Sequence, residues 1–215
     1  MPLNRLWPYS PVVRHRQESW RILLAGDNAV GKTSFAYQCS EETFKECYDT
    51  SLQEEHLVEL DCDEIPATIL LLDTWVAQAC DIGIDDEIIP SGHAFILMYS
   101  VTSCHSFKDI VNMYHQIRKL KRGSNPVFAL IGNKCDMRSS REISFNEGAA
   151  LAQELGCQIF LETSAKTGEN VQLVVSNIIS ELRKAGNRRT QMLNPMQLLR
   201  LSLSITKLWS SIIRK

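Results

Sequence analysis

The sequence predicts an α/β fold in which helices cover both faces of a mostly parallel sheet. Short apolar runs alternate along the chain with longer segments of helical periodicity, and this alternation is typical of such a sheet. The chain has 215 residues, of which 44% are hydrophobic and 22% are charged, as in an ordinary globular domain. A disordered chain, a collagen-like chain and a small disulfide-bonded scaffold are therefore excluded.

Six apolar segments are predicted to be strands, namely 20–25, 55–61, 65–72, 94–100, 127–131 and 158–161. Apolar and polar residues alternate in 55–61, which predicts an edge strand, and Asp61 to Glu64 are predicted to form the hairpin turn that follows it. Helices are predicted after the first strand and near 104–121, 144–155 and 170–185. Ligands of such sheets bind at the carboxyl ends of the strands, so the residues there are the candidates for function.

Charge is distributed unevenly along the chain. The net charge is −2, but residues 181–215 contain eight lysines and arginines and a single acidic residue, Glu181. This asymmetry predicts an anionic partner for the tail, either a membrane surface or an acidic protein. Nucleic-acid binding is not expected, because the basic charge is confined mainly to the tail and no base-stacking module is present.

The cysteines predict a reducing, cytoplasmic compartment. There are seven, and no two have C-x-x-C spacing, so free thiols are expected rather than disulfides or a zinc site. No apolar run reaches about 18 residues, and no signal peptide is expected. Residues 1–18 are predicted to be a flexible arm, 19–186 the globular domain and 187–215 a basic tail.

A phosphate-binding loop is the first functional motif. Residues Gly26 to Thr33 match G-x-x-x-x-G-K-[ST] in full, between a predicted strand and a predicted helix. The glycines let backbone N–H groups point at a phosphate, and the helix N-terminus adds positive potential. Lys32 is expected to contact the β- and γ-phosphates and the Thr33 hydroxyl to bind Mg²⁺. Asp73 ends the strand 65–72 and is expected to support the same ion.

Two more motifs follow strands, Asn133-Lys134-Cys135-Asp136 and Glu162-Thr163-Ser164-Ala165-Lys166. With the phosphate loop, and in this order, they make the chain resemble the Ras-like small GTPases from about residue 20 to residue 185. The resemblance implies a P-loop nucleotide-binding fold with six strands and five helices. It also implies GTP and GDP as ligands with Mg²⁺, and exchange factors, activating proteins and effectors as partners.

The resemblance assigns roles in guanine recognition. The Asp136 carboxylate would accept the ring N–H and the 2-amino group of guanine, and adenine lacks the second donor. The Lys134 stem would cover the base, Asn133 would brace the loops, the Ala165 N–H would meet the guanine oxygen, and Phe44 would pack beside the ring. The nucleotide-binding residues implied in this way are Asp27, Asn28, Ala29, Val30, Gly31, Lys32, Thr33, Ser34, Phe44, Asn133, Lys134, Asp136, Ser164, Ala165 and Lys166.

The first switch departs slightly from the family pattern. The family has a threonine that binds Mg²⁺ and contacts the γ-phosphate, and Ser51 falls at that position here. Thr50 stands where proline is common. Serine keeps the oxygen ligand but lacks the methyl group, so a looser closed state is expected.

The second switch departs further. The family has Asp-Thr-Ala-Gly-Gln, in which the glutamine positions the attacking water, whereas this chain has Asp73-Thr74-Trp75-Val76-Ala77-Gln78. Without a gap, Val76 and Ala77 replace the glycine and the glutamine. If Trp75 is an inserted residue, Gln78 is the catalytic glutamine and Ala77 replaces the glycine. Both alignments are open.

Two further features favour weak hydrolysis. Asn28 stands at a glycine position of the loop, beside the reacting phosphate, where its side chain would crowd Gln78 or an incoming arginine. A tryptophan after the metal-binding aspartate also resembles the Rad/Gem/Rem branch, although Ala165-Lys166 is similar to ordinary Ras. Gln78 and Lys32 are therefore the candidate catalytic residues of a weak GTPase.

The tail is predicted to form a basic amphipathic helix. The chain has no C-a-a-X box, so prenylation at the C-terminus is not expected, and Asn194-Pro195 predicts a helix start. The apolar side consists of Leu198, Leu201, Ile205, Leu208, Trp209 and Ile212, opposite Arg200, Lys207 and Arg214. Such a helix binds an anionic membrane surface, here on the cytoplasmic side, enters a calmodulin-like groove, or packs on its own domain.

The sequence supports two main functional hypotheses and a weaker third, in which membrane recruitment is the main role and the nucleotide is structural. The first is a GTP/GDP switch in signal transduction with slow or impaired hydrolysis, which requires a functional Gln78. The second is a GTP-binding interaction module that does not hydrolyse GTP and is recruited to a membrane or a calmodulin-like protein by its C-terminal helix.

Overall fold

The computed structural model describes residues 18–44, 54–62, 65–73 and 88–192. It contains a six-stranded sheet in the order β2-β3-β1-β4-β5-β6. The strands are β1 (Glu18–Gly26), β2 (Glu54–Cys62), β3 (Ile65–Asp73), β4 (Ala94–Ser100), β5 (Val127–Asn133) and β6 (Ile159–Glu162). Only β2 and β3 pair antiparallel among these strands, so the predicted mostly parallel α/β sheet is confirmed.

The described residues contain five α-helices, of which four lie between strands and the last follows β6. They are α1 (Lys32–Glu41), α2 (Ile88–Ser91), α3 (Cys104–Leu120), α4 (Phe145–Leu155) and α5 (Val171–Met192), and a short 3-10 turn covers Arg138–Ser140. The helix count agrees with the predicted small GTPase fold. Among the described residues, no helix is both long enough and apolar enough to cross a bilayer.

The hydrophobic core lies on both faces of the sheet because successive residues of a strand point to opposite sides. Ile22 and Leu24 of β1 belong to the cluster that α1 and α5 cover. Leu23 and Ala25, which alternate with them, belong to the cluster that α3 and α4 cover. Each strand of the centre is therefore buried on both faces, which explains its continuous apolar sequence.

Three elements extend beyond the bounds that the sequence predicts for them. Asp61 is part of β2 and pairs with Pro66, so the turn between β2 and β3 is shorter than predicted. The predicted arm includes Glu18, but Glu18 already pairs with Ala67 in the sheet. α5 extends to Met192, beyond the predicted end of the domain at 186. The arm before Glu18 and the predicted C-terminal amphipathic helix lie outside the described residues.

Candidate nucleotide-binding site

The phosphate loop joins β1 to α1 at the carboxyl edge of the sheet. Its shape requires glycine at both ends, because a Cβ on Gly26 would lie 2.3 Å from the Met98 carbonyl oxygen. Gly31 has φ of 100°, and a Cβ there would lie 2.4 Å from Asn133 Nδ2. Ala29 also adopts the left-handed region, with φ of 58°. The loop therefore curls tightly against β4 and β5, as a phosphate cradle does.

Lys32 begins α1, and its side chain folds back over the loop. Nζ donates to the carbonyl oxygens of Gly26 at 2.9 Å and Asp27 at 3.0 Å. Burial lowers the pKa of the ammonium group, and the charges of Asp73 and Asp27 oppose that shift. A partly buried cation that is held by carbonyl oxygens suits an incoming phosphate, which would supply the missing negative charge.

Thr33 and Asp73 form the expected oxygen pair. The Thr33 hydroxyl donates a hydrogen bond to the Asp73 carboxylate, and Asp73, at the end of β3, is only 8% exposed. A hydroxyl and a carboxylate in contact, next to the phosphate loop, are the hard ligands that Mg²⁺ prefers. These two residues would hold the ion, whereas the third predicted ligand, Ser51, lies outside the described residues.

Asn133 connects the phosphate loop to the base-recognition loops. It is 1% exposed, and its Nδ2 donates to the Val30 carbonyl oxygen at 2.8 Å. Its Oδ1 accepts hydrogen bonds from the Thr163 hydroxyl and the Ala165 N–H, both at 3.1 Å. One buried amide therefore sets the distances among three loops.

Lys134 forms a second bridge between the loops. Its backbone is left-handed, with φ of 65°, and its Nζ donates to the Ala29 carbonyl oxygen at 2.6 Å. The stem consequently crosses the edge of a cavity of about 300 Å³. The residues that line this cavity are Ala29, Gly31, Ser34, Phe44, Asn133, Lys134, Asp136, Met137, Ala165 and Lys166.

This cavity brings together the predicted base-recognition residues. Asp136 is exposed in it, and Phe44 lies in its wall with 39% of its surface exposed, unlike an ordinary core phenylalanine. Met137 was not predicted, because no pattern in the sequence distinguishes it from a surface methionine. The apolar walls and the carboxylate suit a flat ring that presents hydrogen-bond donors at one edge.

Three other predicted residues, Val30, Ser164 and Asn28, do not line the cavity. Val30 and Ser164 are buried, and the Ser164 hydroxyl accepts a hydrogen bond from the Thr167 N–H at 3.1 Å, so this side chain shapes its loop. Asn28 is exposed on the phosphate loop, and its N–H donates to the Asp27 carboxylate at 2.6 Å. Gln78 lies outside the described residues.

A clamp behind the base-recognition loops was missed. Arg141 donates to both carboxylate oxygens of Glu162, at 2.6 and 2.8 Å, and to the Ile143 carbonyl oxygen at 3.0 Å. Glu162 opens the motif that contains Ala165, whereas Arg141 follows the motif that contains Asp136. The clamp therefore ties the two motifs together from behind. The sequence shows that Arg141 and Glu162 carry opposite charges, but it does not show that they pair, because the contact depends on tertiary structure.

The fold and these loops define a P-loop protein that binds a guanine nucleotide. Residues 21–184 match the family model of the Ras family. The chain is also 34% identical over 192 residues to the protein ras-2 of Neurospora crassa, which covers 80% of this chain and 83% of that protein. The chain belongs to the Ras family of small GTPases, which are GTP-binding switches in signal transduction. Members of this family generally interact with exchange factors, activating proteins and effectors.

Proposed function

We propose that this chain is a GTP/GDP switch whose own hydrolysis of GTP is slow. One observation carries the proposal. The Thr33 hydroxyl contacts Asp73, which supports Asp73 as the metal-binding aspartate that begins the second switch, and the sequence from Asp73 is Asp73-Thr74-Trp75-Val76-Ala77-Gln78. Both alignments of this segment put a residue with a Cβ where the family has glycine next to the γ-phosphate.

The reaction needs a water molecule that is held in line with the γ-phosphate, and a glutamine usually holds it. Without a gap in the alignment, no glutamine occupies that position. If Trp75 is an insertion, Gln78 occupies the position of the family's glutamine. The Ala77 Cβ would then hinder the close approach of the backbone to the phosphate. Asn28 adds a side chain beside the same phosphate, where it would crowd Gln78 or an incoming arginine. Each difference acts on the positioning of water rather than on nucleotide binding.

The other residues act on the nucleotide. Lys32 would exchange its two carbonyl partners for phosphate oxygens and neutralise charge that develops during transfer. Thr33, Asp73 and Ser51 would hold Mg²⁺, which supplies charge neutralisation at the phosphates when it is bound. Asp136 would accept the two donors of guanine. The affinity for GTP and GDP is therefore expected to be typical of the family.

The test is single-turnover hydrolysis of bound GTP by the full chain with Mg²⁺. An intrinsic rate well below about 3–5 × 10⁻⁴ s⁻¹, the rate of Ras itself, supports the proposal. Gln78→Leu is expected to abolish the remaining hydrolysis, whereas Gln153→Leu, on the exposed side of α4, changes nothing. A wild-type rate at or above that of Ras would overturn the proposal.

A second candidate function is a GTP-bound interaction module that is recruited to a membrane by its tail. The charge asymmetry favours it, because residues 181–215 contain eight basic residues and one acidic residue. Hydrolysis that is undetectable over many hours in both the wild type and Gln78→Leu would support this candidate. Location on the cytoplasmic face of a membrane is part of the same proposal.

The tail is tested with vesicles that contain phosphatidylserine. Truncation after residue 190 is expected to release the protein from these vesicles. A full-length variant with serine at Leu208 and Trp209 keeps every charge, so its release shows that the apolar side contributes. If the truncated chain stays bound, the tail is not the anchor. A calmodulin-like partner is supported instead if the full chain does not bind the vesicles but binds calmodulin in a Ca²⁺-dependent manner.

A further inference from the structure

A second cavity lies at the end of the sheet opposite the nucleotide site, where β1, β4 and β5 begin, next to the end of α3 and residues 182–186 of α5. It has a volume of about 600 Å³, within the usual range of ligand sites. Trp20, His93, Lys121, Asn125, Leu182 and Gly186 are among the residues that line it. None of the described residues of the family motifs lines it, so guanine-nucleotide binding does not explain it.

Lys121 provides a cation to this cavity. Its Nζ donates to the carbonyl oxygens of Pro90 and Gly92, each at 2.8 Å, and an ammonium group has a third N–H to donate. Within the described part of the chain, no carboxylate forms an ion pair with Lys121. Burial also lowers its pKa. An anion in the cavity would supply the charge partner that the described protein does not.

His93 adds a directed donor. Its Nδ1 accepts a hydrogen bond from the Arg21 N–H at 2.9 Å, so the proton of the neutral ring is on Nε2. Burial and the positive charges of Lys121 and Arg21 lower the pKa of His93. The groups around the cavity therefore create a positive potential, and the imidazole keeps one N–H for a ligand.

The acidic residues of this end do not cancel that potential. Glu18 is paired with Arg183 at 2.9 Å, and Glu181 is paired with Lys184 at 2.8 Å. Both carboxylates are thus neutralised by partners of their own. The positive charge of Lys121 remains for a ligand.

One wall of the cavity is apolar. The Trp20 ring meets His93 edge to face, with 5.4 Å between the ring centroids, and Leu182 of α5 is buried beside it. A Cβ on Gly186 would meet no atom of the described structure within 4 Å, so the cavity is open at this point. A ligand with an apolar portion next to its charge would use both kinds of surface.

We propose that this cavity binds a phosphomonoester that carries an apolar portion. Lys121 contacts the phosphate as a point charge, the usual role of lysine toward phosphate, and His93 Nε2–H donates to a second oxygen. The apolar portion lies between Trp20 and Leu182. A phosphorylated lipid headgroup and a soluble aromatic phosphate share this chemistry.

The test uses the full chain with bound GDP in about 0.15 M salt, where surface attraction is screened beyond about 8 Å. A phosphatidylinositol 4-phosphate with butanoyl chains and phenyl phosphate are titrated separately while the His93 ring is followed by NMR. Binding is expected to shift the His93 signals and to raise the pKa of His93, because the anion favours the protonated ring. Tighter binding of the inositol lipid identifies a lipid as the source, and tighter binding of phenyl phosphate identifies a soluble ligand.

Matched variants separate a site from general surface attraction. Lys121→Gln and Lys119→Gln each remove one charge from the same end of α3, but only Lys121 lines the cavity. Loss of the charged hydrogen bond in Lys121→Gln is expected to weaken binding by about tenfold. Lys119→Gln is expected to change binding by less than about twofold.

Gly186→Leu provides a variant that leaves the charges unchanged. It places a side chain in the open part of the cavity and favours the helix, so the protein is expected to keep its fold and its GDP while losing the ligand. Equal effects of Lys121→Gln and Lys119→Gln would overturn the proposal. So would the absence of binding by both probes, or a Gly186→Leu variant that binds as tightly as the wild type.

Discussion

The base side and the phosphate side of the nucleotide site are held together in different ways. On the base side, buried Asn133 makes three hydrogen bonds within the protein, and Arg141 clamps Glu162 behind it. On the phosphate side, Lys32 makes two hydrogen bonds to backbone carbonyl oxygens of the phosphate loop, those of Gly26 and Asp27. The hydrogen bonds of the base side are therefore made within the protein without a ligand. The phosphate side has a cation, Lys32, whose charge a ligand would balance.

This difference gives Asn133 a role that does not depend on nucleotide. A substitution at Asn133 leaves several buried groups without partners, and the cost falls on folding itself. In the family, the second switch acts on the attacking water and the γ-phosphate, which are present only when GTP is bound.

The largest expected effect is on the phosphate side. Lys32→Met should weaken GDP binding by about a thousandfold, since a partly buried charge pair with phosphate is lost. The free energy of unfolding without nucleotide should change by less than about 1 kcal/mol, because the variant no longer has to bury a charge. Titration with fluorescent GDP and urea unfolding measure the two quantities.

Exposed Lys108 of α3 provides the control, and Lys108→Met should leave both quantities unchanged. A large loss of stability in the nucleotide-free Lys32→Met protein would contradict the comparison.

Asn133→Ala should show the opposite behaviour. Two donors and an acceptor lose their buried partner, so the free energy of unfolding should fall by about 3 kcal/mol whether or not nucleotide is present. Urea unfolding with and without excess GDP is the measurement. Asn112→Ala, at an exposed position on α3, should have no effect. If excess GDP restores the stability of Asn133→Ala completely, Asn133 acts through the ligand and not through the loops.

Arg141→Gln should have a smaller effect on the same side. The clamp is partly exposed, with 26% of the Arg141 side chain accessible, so its loss should cost about 1 kcal/mol. The rate of GDP dissociation should rise about fivefold, because the two base-recognition motifs are no longer tied together. Displacement of a fluorescent GDP analogue measures this rate. Arg141→Lys should not restore the slow rate, since lysine cannot pair with both carboxylate oxygens. Arg138→Gln, on the exposed 3-10 turn, should dissociate like the wild type.

The smallest effect concerns His93, which belongs to neither side. Its pKa is lowered in the folded protein, so below about pH 6.5 the unfolded chain binds a proton that the folded chain does not. Stability should therefore fall as the pH decreases from 7 to 5. His93→Gln should reduce this dependence by about a few tenths of a kcal/mol, because the ring is partly exposed to solvent. Thermal unfolding at several pH values measures it, and a steeper dependence in His93→Gln would show that the sign is wrong.

The sequence predicted the parts of the fold that depend on local pattern. Strand β4, a continuous apolar run, has the predicted bounds Ala94–Ser100. β5 is longer than the apolar run predicted, because Gly132 and Asn133 pair with Tyr99 and Ser100. Pairing with a neighbouring strand depends on tertiary structure, so the hydrophobic periodicity of a single segment does not predict it.

The site shows the same limit. Motifs located Lys32, Asp136 and Ala165, because nucleotide chemistry requires those residue types at fixed spacing. The Arg141 clamp and Met137 could not be predicted, since each acts through residues far away in sequence or through the shape of a cavity. Ser51 and Gln78 remain predictions, as both lie outside the described residues.

The close contact between Gly31 and Asn133 limits the substitutions that are tolerated at two positions far apart in sequence. A Cβ on Gly31 would lie 2.4 Å from Asn133 Nδ2, so no larger residue fits at 31 while asparagine occupies 133. Asn133 in turn cannot be shortened without leaving the Val30 carbonyl oxygen without its donor. Either substitution alone therefore costs stability. Shortening Asn133 would relieve the contact with a larger residue at 31, but the left-handed backbone at 31 strains any such residue whatever occupies 133. A library that varies the two positions together is therefore expected to retain glycine at 31.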